Sequence, residues 1–213
     1  MARANEIAYD YIKSRIIDGT YRPAQHLIEA QLATEICVSR NTVKKVLLQL
    51  EQDKLVTIQD NKGAMVQSFT VEEIQEYYEV RKVLEEIVVK SAIEFISNED
   101  IQKMQNIYSE MCEMKIQKDF ESYSKCNKKL HEIIYQASHK PIAVNMIRGI
   151  KQQLIRFQFR TMIVPGRAEE SLEEHKLLVN AFVAKDMDAA VVAIKKHLDN
   201  VSATIATYKA LFF

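Results

Sequence analysis

Asn127 and His131 stand four residues apart in a stretch with helical periodicity, so both lie on one helix face, the spacing that lets a single helix offer two donors to one metal ion. His175 and His197 fall on two later stretches of the same kind. His175 has Leu172, Leu178 and Val179 at i−3, i+3 and i+4, His197 has Ala193, Ile194 and Val201 at equivalent offsets, and His131 neighbours Ile134. Three of the five histidines thus point toward an apolar interior, where a divalent cation could collect them. The other reading of the pattern is three core histidines satisfied by hydrogen bonds. His26 and His139 fall in expected loops.

A second group could bind an anion. Arg81 sits among Ile74, Tyr77, Tyr78, Leu84 and Val88, so its guanidinium can reach the interior and clamp a carboxylate, or it can pair with Glu85 at i+4. Arg156 and Arg160, four apart on one helix, are candidates for the same effector-binding role.

These residues need a helical frame, and the composition supplies one. Four glycines and three prolines in 213 residues leave few positions that force a turn. From Val71 onward the pattern predicts six helices, over about 71–96, 98–117, 119–138, 141–162, 171–185 and 187–208, with the short connections of an antiparallel bundle. Ser68, Phe69 and Thr70 form the only joint to what precedes.

The first 68 residues follow another plan. Helices are expected over about 7–18, 29–36 and 39–53, and then Val56–Gln59 and Ala64–Gln67 alternate around an Asp60-Asn61-Lys62-Gly63 turn as a hairpin. Three helices and a hairpin make a winged helix-turn-helix. In the third helix Val43, Val46, Leu47 and Leu50 form the buried stripe at i, i+3, i+4, i+7, and Ser39 is its N-cap. Ser39, Arg40, Asn41, Thr42 and Lys44 are then presented at its open end, and Asn61, Lys62 and Gly63 at the tip of the wing. Arg can bond guanine twice and Asn adenine twice, while a lysine, a hydroxyl or the helix N-terminus holds phosphate. An ordinary solvated helix fits the same periodicity.

Bulk charge does not choose between them. Lys plus Arg and Asp plus Glu both number 29, and residues 1–68 carry nine cationic against eight anionic side chains. No apolar run is long enough to span a bilayer, and the N-terminus lacks the apolar core of a secretory signal, so a cytoplasmic protein is expected. Three widely spaced cysteines fit neither a disulfide framework nor a zinc module.

The blocks Tyr21-Arg22-Pro23-Ala24, Leu27-Ile28-Glu29, Leu32-Ala33 and Val38-Ser39-Arg40-Asn41-Thr42-Val43-Lys44-Lys45-Val46-Leu47, followed by Leu55-Val56 and Lys62-Gly63-Ala64, resemble the N-terminal domain of GntR-family transcriptional regulators. The resemblance covers about residues 7–67. The family usually has glycine where this chain has Ala24 and Lys54, proline at Thr42 and arginine at Lys44. Lysine lacks the planar fork of arginine, which leaves Arg40 as the base reader and Lys44 as a phosphate contact. Arg81-x-x-Leu84-Glu85, Leu130-His131, Glu174-His175 and Asp188 through His197-Leu198 resemble the effector domain of the FadR-type subgroup. That resemblance implies a dimer on operator DNA, a small organic acid effector, and a divalent metal held by three histidines and an aspartate. Here Asn127 stands at the aspartate position. An imidazole-rich set favours zinc or nickel.

The expectation is a mainly α, ligand-responsive regulator of the repressor type, with a winged helix-turn-helix over 1–68 and a helical effector and dimerisation domain over 69–213. Two rivals remain at this point. One is a metal-dependent hydrolase using the three histidines with Glu132 or Glu174 as base. The other is a helical interaction module.

Overall fold

The apolar stripe of the third helix is what the N-terminal core is built on. In the computed structural model, which describes residues 2–59 and 63–212, Val43, Val46, Leu47 and Leu50 are all buried, joined by Ala8, Ile12, Ile16, Leu32, Val56 and Val66. Each buried Val, Leu or Ile among them contributes about 1.5–3 kcal/mol relative to exposure. The elements are α1 (Ala2–Asp18), β1 (His26–Leu27), α2 (Glu29–Ile36), α3 (Arg40–Gln52), β2 (Val56–Gln59) and β3 (Gly63–Val66). α1 starts earlier than its periodicity implied. The hairpin gains an edge strand, giving an antiparallel sheet of order β1-β3-β2 with Leu27 opposite Ala64 and Val56 opposite Val66. Two residues are too few to show alternation, which is why β1 has no sequence signature.

Polar ties fix the angles between these elements. Glu35 on α2 accepts hydrogen bonds from Tyr11 (2.5 Å) and Tyr21 (3.2 Å) and pairs with Arg15, whose guanidinium lies over the Tyr11 ring. Tyr9 on α1 donates to Asp53 at the end of α3. Left-handed residues close two helices. Cys37 (φ 59°) ends α2, and Lys54 (φ 59°) ends α3 with Lys54 N–H donating to the Glu51 carbonyl and Leu55 N–H to that of Leu50.

From Val71 the chain is helical: α4 (Val71–Phe95), α5 (Asn98–Gln117), α6 (Phe120–Ala137), α7 (Pro141–Gln153), α8 (Ile155–Thr161), α9 (Arg167–Val183) and α10 (Met187–Thr207), then a short 3₁₀ turn over Lys209–Leu211. Ser97, Asp119 and Asp186 cap α5, α6 and α10 by accepting from the N–H groups of Asp100, Ser122 and Ala189. α4 packs on α10 and α6, α5 on α6 and α9, and α9 on α10. They enclose a core that includes Val88, Ala92, Met104, Met111, Tyr123, Leu130, Phe182 and Ile194.

The bundle differs from expectation in two places. The single helix over 141–162 is interrupted at Leu154, where Phe157 N–H bonds the Leu154 carbonyl in a tighter turn. Neither glycine nor proline marks the break. α9 begins at Arg167 rather than near 171, because Gly166 takes a left-handed φ of 84° and the side chain of Arg167 is anchored within the bundle.

The chain divides into two compact units, Met1–Thr70 with Lys151–Phe157, and Val71–Ile150 with Gln158–Phe212. In the first, Ile155 packs against the N-terminal core, Phe157 lies 6.3 Å from Phe69 ring to ring, and Arg156 donates to the Gln67 carbonyl (2.8 Å).

Candidate functional site

Four helix positions build the centre of the bundle. Asn127 and His131 project from α6, His175 from α9 and His197 from α10, and the three histidines are 2%, 1% and 8% exposed. Their rings lie 4.7 to 5.8 Å apart, and one ring nitrogen from each falls within 4.8 Å of the others.

Their neighbours set the proton positions. His175 Nδ1 lies 2.6 Å from the Ser171 carbonyl, an acceptor only, so Nδ1 carries the proton and Nε2 a lone pair. His197 Nδ1 lies 2.7 Å from a Glu174 oxygen and likewise donates, which leaves its Nε2 as a lone pair too. This is the arrangement by which outer carboxylates and carbonyls orient metal-ligating imidazoles. Burial, with the repulsion that a protonated His197 would add, pulls the His175 pKa down to about 3; burial lowers that of His197 against the pull of Glu174. Both rings are therefore neutral and able to ligate at pH 7.

One contact is incomplete as it stands. His175 Nε2 lies 2.8 Å from Asn127 Oδ1, and both atoms are acceptors. A cation between them, or rotation of the amide to offer its NH₂, resolves the opposition. The donor set of three imidazoles and an amide oxygen fits a divalent ion of the zinc or nickel kind.

Glu174 is held in turn by Arg167 through two bonds (3.1 and 2.8 Å) and by Asn200 (2.7 Å). Burial opposes its charge, but the bonds from His197 and Arg167 outweigh this and keep its pKa at about 2. Arg81 forms its bonds with Glu85 through Nε (3.1 Å) and Nη2 (3.0 Å), and Tyr135 donates to the same oxygen (2.8 Å). Of its two expected roles, the pair with Glu85 at i+4 is the one formed here, at a buried position. The Tyr135 ring is 6.1 Å from that of His131. Arg156 does not join this group; it belongs to the N-terminal unit, with its guanidinium 4.4 Å from the Phe157 ring, whereas Arg160 is half-buried at the end of α8. A separate groove of about 580 Å³ between α5 and α6, lined by Lys103, Ile107, Glu110, Lys129, Glu132 and Ile133 among others, includes none of the four donors.

Arg167, Asn200 and Tyr135 were missed by sequence reasoning. A signal existed, since Arg167, Ser171 and Glu174 recur at i, i+4, i+7, a helical stripe written in polar residues.

In the N-terminal unit, Ser39 Oγ accepts from Thr42 N–H (3.1 Å) and lies 2.9 Å from the Thr42 hydroxyl, so this pair caps α3. Arg40, Asn41 and Lys44 are exposed on the first turns. Glu51 on α3 accepts from Ile58 N–H (2.7 Å) and ties the hairpin to the helix. Gly63 opens β3 at φ 80°, while Asn61 and Lys62 lie outside the described residues.

Residues 76–200 match the FCD domain family, and residues 4–66 match the bacterial regulatory proteins of the gntR family. The chain belongs to the GntR family. As a GntR regulator with an FCD effector-binding domain, it resembles the transcriptional regulator YdhC of Bacillus subtilis (26% identity, over 90% of this chain and 86% of the relative). It likewise resembles the gluconate operon repressor of Bacillus licheniformis (27% identity, 91% and 82%). Escherichia coli McbR/YncC shares its fold, with a TM-score of 0.76 over 96% of this chain and 98% of that one at 21% identity. The protein is a transcriptional regulator and not an enzyme. The hydrolase alternative finds no support, and a Glu174 held at about 2 by its bonds to Arg167 and His197 would be a poor general base.

Proposed function

We propose that this GntR regulator is a homodimeric, cytoplasmic repressor that leaves its operator when a small organic acid binds the helical domain beside a divalent metal. The observation that carries the reading is the pair of imidazoles in the effector domain, whose outward lone pairs are set by Ser171 and Glu174. Asn127, His131, His175 and His197 hold the ion, and bound there it supplies a positive charge that a carboxylate can share. Arg81, with Arg160 as a further candidate, gives the acid a second cationic contact. Two copies are expected because a regulator of this type reads two half-sites.

Ser39, Arg40, Asn41, Thr42 and Lys44 meet DNA from α3, with Asn61, Lys62 and Gly63 contributing from the wing. Arg40 is assigned to base contact and Lys44 to phosphate. Among the described residues the chain passes between its two units after residues 70, 150 and 157, so a change of state in the bundle has one covalent route to the reading head, through residue 70, and a packed one, through the 151–157 segment.

The decisive experiment sequences the DNA fragments that the purified full-length protein retains, then titrates the protein–DNA complex with organic acids. Release of the operator by an acid that binds the bundle is the expected result. Undiminished operator affinity with that acid bound would overturn the coupling.

A further inference from the structure

The buried charge of the bundle sums to zero before any ion enters. Among the described residues of this unit the buried charged side chains are Arg81, Glu85, Arg167 and Glu174. They are paired off, Arg81 with Glu85 at 3.0 Å and Arg167 with Glu174 at 2.8 Å. Glu174 supports His197, but its negative charge is already matched by the fork of Arg167.

The donors add no charge of their own. An imidazole ligates a metal in its neutral form and the Asn127 amide carries no charge, whereas an aspartate at 127 would bring one negative charge. A divalent ion held by these side chains therefore places two uncompensated positive charges in the interior. Burying unpaired charge is costly, and at low dielectric a counter-charge a few ångströms away recovers a large part of that cost.

We propose that Asn127 makes this centre a coincidence detector: ion and effector bind tightly only together, and the effector is a dianion, such as a dicarboxylate. The inference rests on the metal and carboxylate reading above and adds the charge of the acid and the mutual dependence. A dianion cancels the excess, a monocarboxylate cancels half, and a neutral analogue cancels none. By linkage, whatever factor the acid adds to metal affinity, the metal adds to affinity for the acid.

The test is calorimetric titration of nickel into full-length, metal-free protein, alone and with saturating linear dicarboxylates of two to six carbons, the matching monocarboxylates or the matching diamides. The best dicarboxylate is expected to raise nickel affinity by about 5- to 150-fold, the monocarboxylates less and the diamides not at all. Asn127→Asp is expected to bind nickel more tightly than the wild type without any anion and to lose most of the dicarboxylate effect. Circular dichroism confirms that the variant is folded. Asn127→Ala, still neutral, keeps the effect at lower overall affinity.

Nickel binding that is equal with and without every dicarboxylate would overturn the coupling and leave the metal centre standing. No nickel or zinc binding under any condition would overturn the centre itself. Full coupling retained in Asn127→Asp would show that the charge at 127 is not its cause.

Discussion

His175 and Asn127 face each other acceptor to acceptor, with Nε2 and Oδ1 2.8 Å apart and the only ring proton of His175 committed to Ser171. The contact is favourable with a cation present or with the amide rotated. Zinc or nickel is therefore expected to raise stability, by about 2.7 kcal/mol at a hundred times the dissociation constant. His131→Ala, His175→Ala and His197→Ala should each abolish that gain in a thermal melt. A gain that survives all three substitutions would place the ion elsewhere.

Glu174 accepts hydrogen bonds from Arg167, His197 and Asn200 together. Glu174→Gln keeps the shape but removes the buried counter-charge of Arg167, leaving it, among the described residues, only the exposed Glu170 at 3.9 Å, and the cost expected from urea unfolding is about 3–5 kcal/mol. A loss below about 1 kcal/mol would mean that water or a rearranged neighbour replaces the carboxylate.

Acid should weaken the fold early. The His175 pKa is about 3 in the folded chain and near 6.5 when unfolded, so below pH 6.5 the unfolded chain takes up the extra proton and stability falls by about 1.4 kcal/mol per pH unit. His197 is shifted in the same direction. Glu174, at about 2 against 4.5, adds a further loss as pH drops below 4.5. Urea midpoints of the metal-free protein at pH 7.5, 6 and 5 should decline steadily; a constant midpoint would contradict the neutral, buried state of these rings.

Ala24 and Lys54 both hold φ at 59°, in the left-handed region where a Cβ is strained. Ala24→Gly and Lys54→Gly are each expected to stabilise the N-terminal unit by up to about 1 kcal/mol, the relief of strain exceeding the added chain entropy. Lower melting temperatures for both variants would show that other contacts of these residues matter more.

Arg40 and Lys44 are exposed on the first turns of α3 but should fail differently. Arg40→Ala is expected to cost about 1–3 kcal/mol of operator affinity and to relax preference at one base position. Lys44→Ala should weaken all sequences alike and reduce the salt slope by about 0.9. If Lys44→Ala leaves slope and affinity intact, its phosphate contact is not made.

The elements that announced themselves in the sequence are those whose burial follows a helical period. The stripe of Val43, Val46, Leu47 and Leu50 and the three inward histidines were legible because side chains of like polarity recur with the turn of the helix. The cap at Ser39 was legible from its residue type just ahead of that stripe. The break at Leu154 was not, since Lys-Gln-Gln-Leu-Ile-Arg contains no residue that refuses a helix. The meeting of Asn127 with His175 came only through the family resemblance, because the approach of side chains from α6 and α9 depends on a tertiary register that no local pattern encodes.

The grouping of Lys151–Phe157 with Met1–Thr70 bears on how such regulators can be recombined. A reading head cut after Thr70 leaves behind the Ile155 that packs on its core and the Arg156 that holds the Gln67 carbonyl. The head is thus not a cassette that a gene fusion can lift out in one piece. A chimera that exchanges operator specificity must carry this remote heptapeptide with the first seventy residues, or expose apolar surface where Ile155 and Phe157 had been.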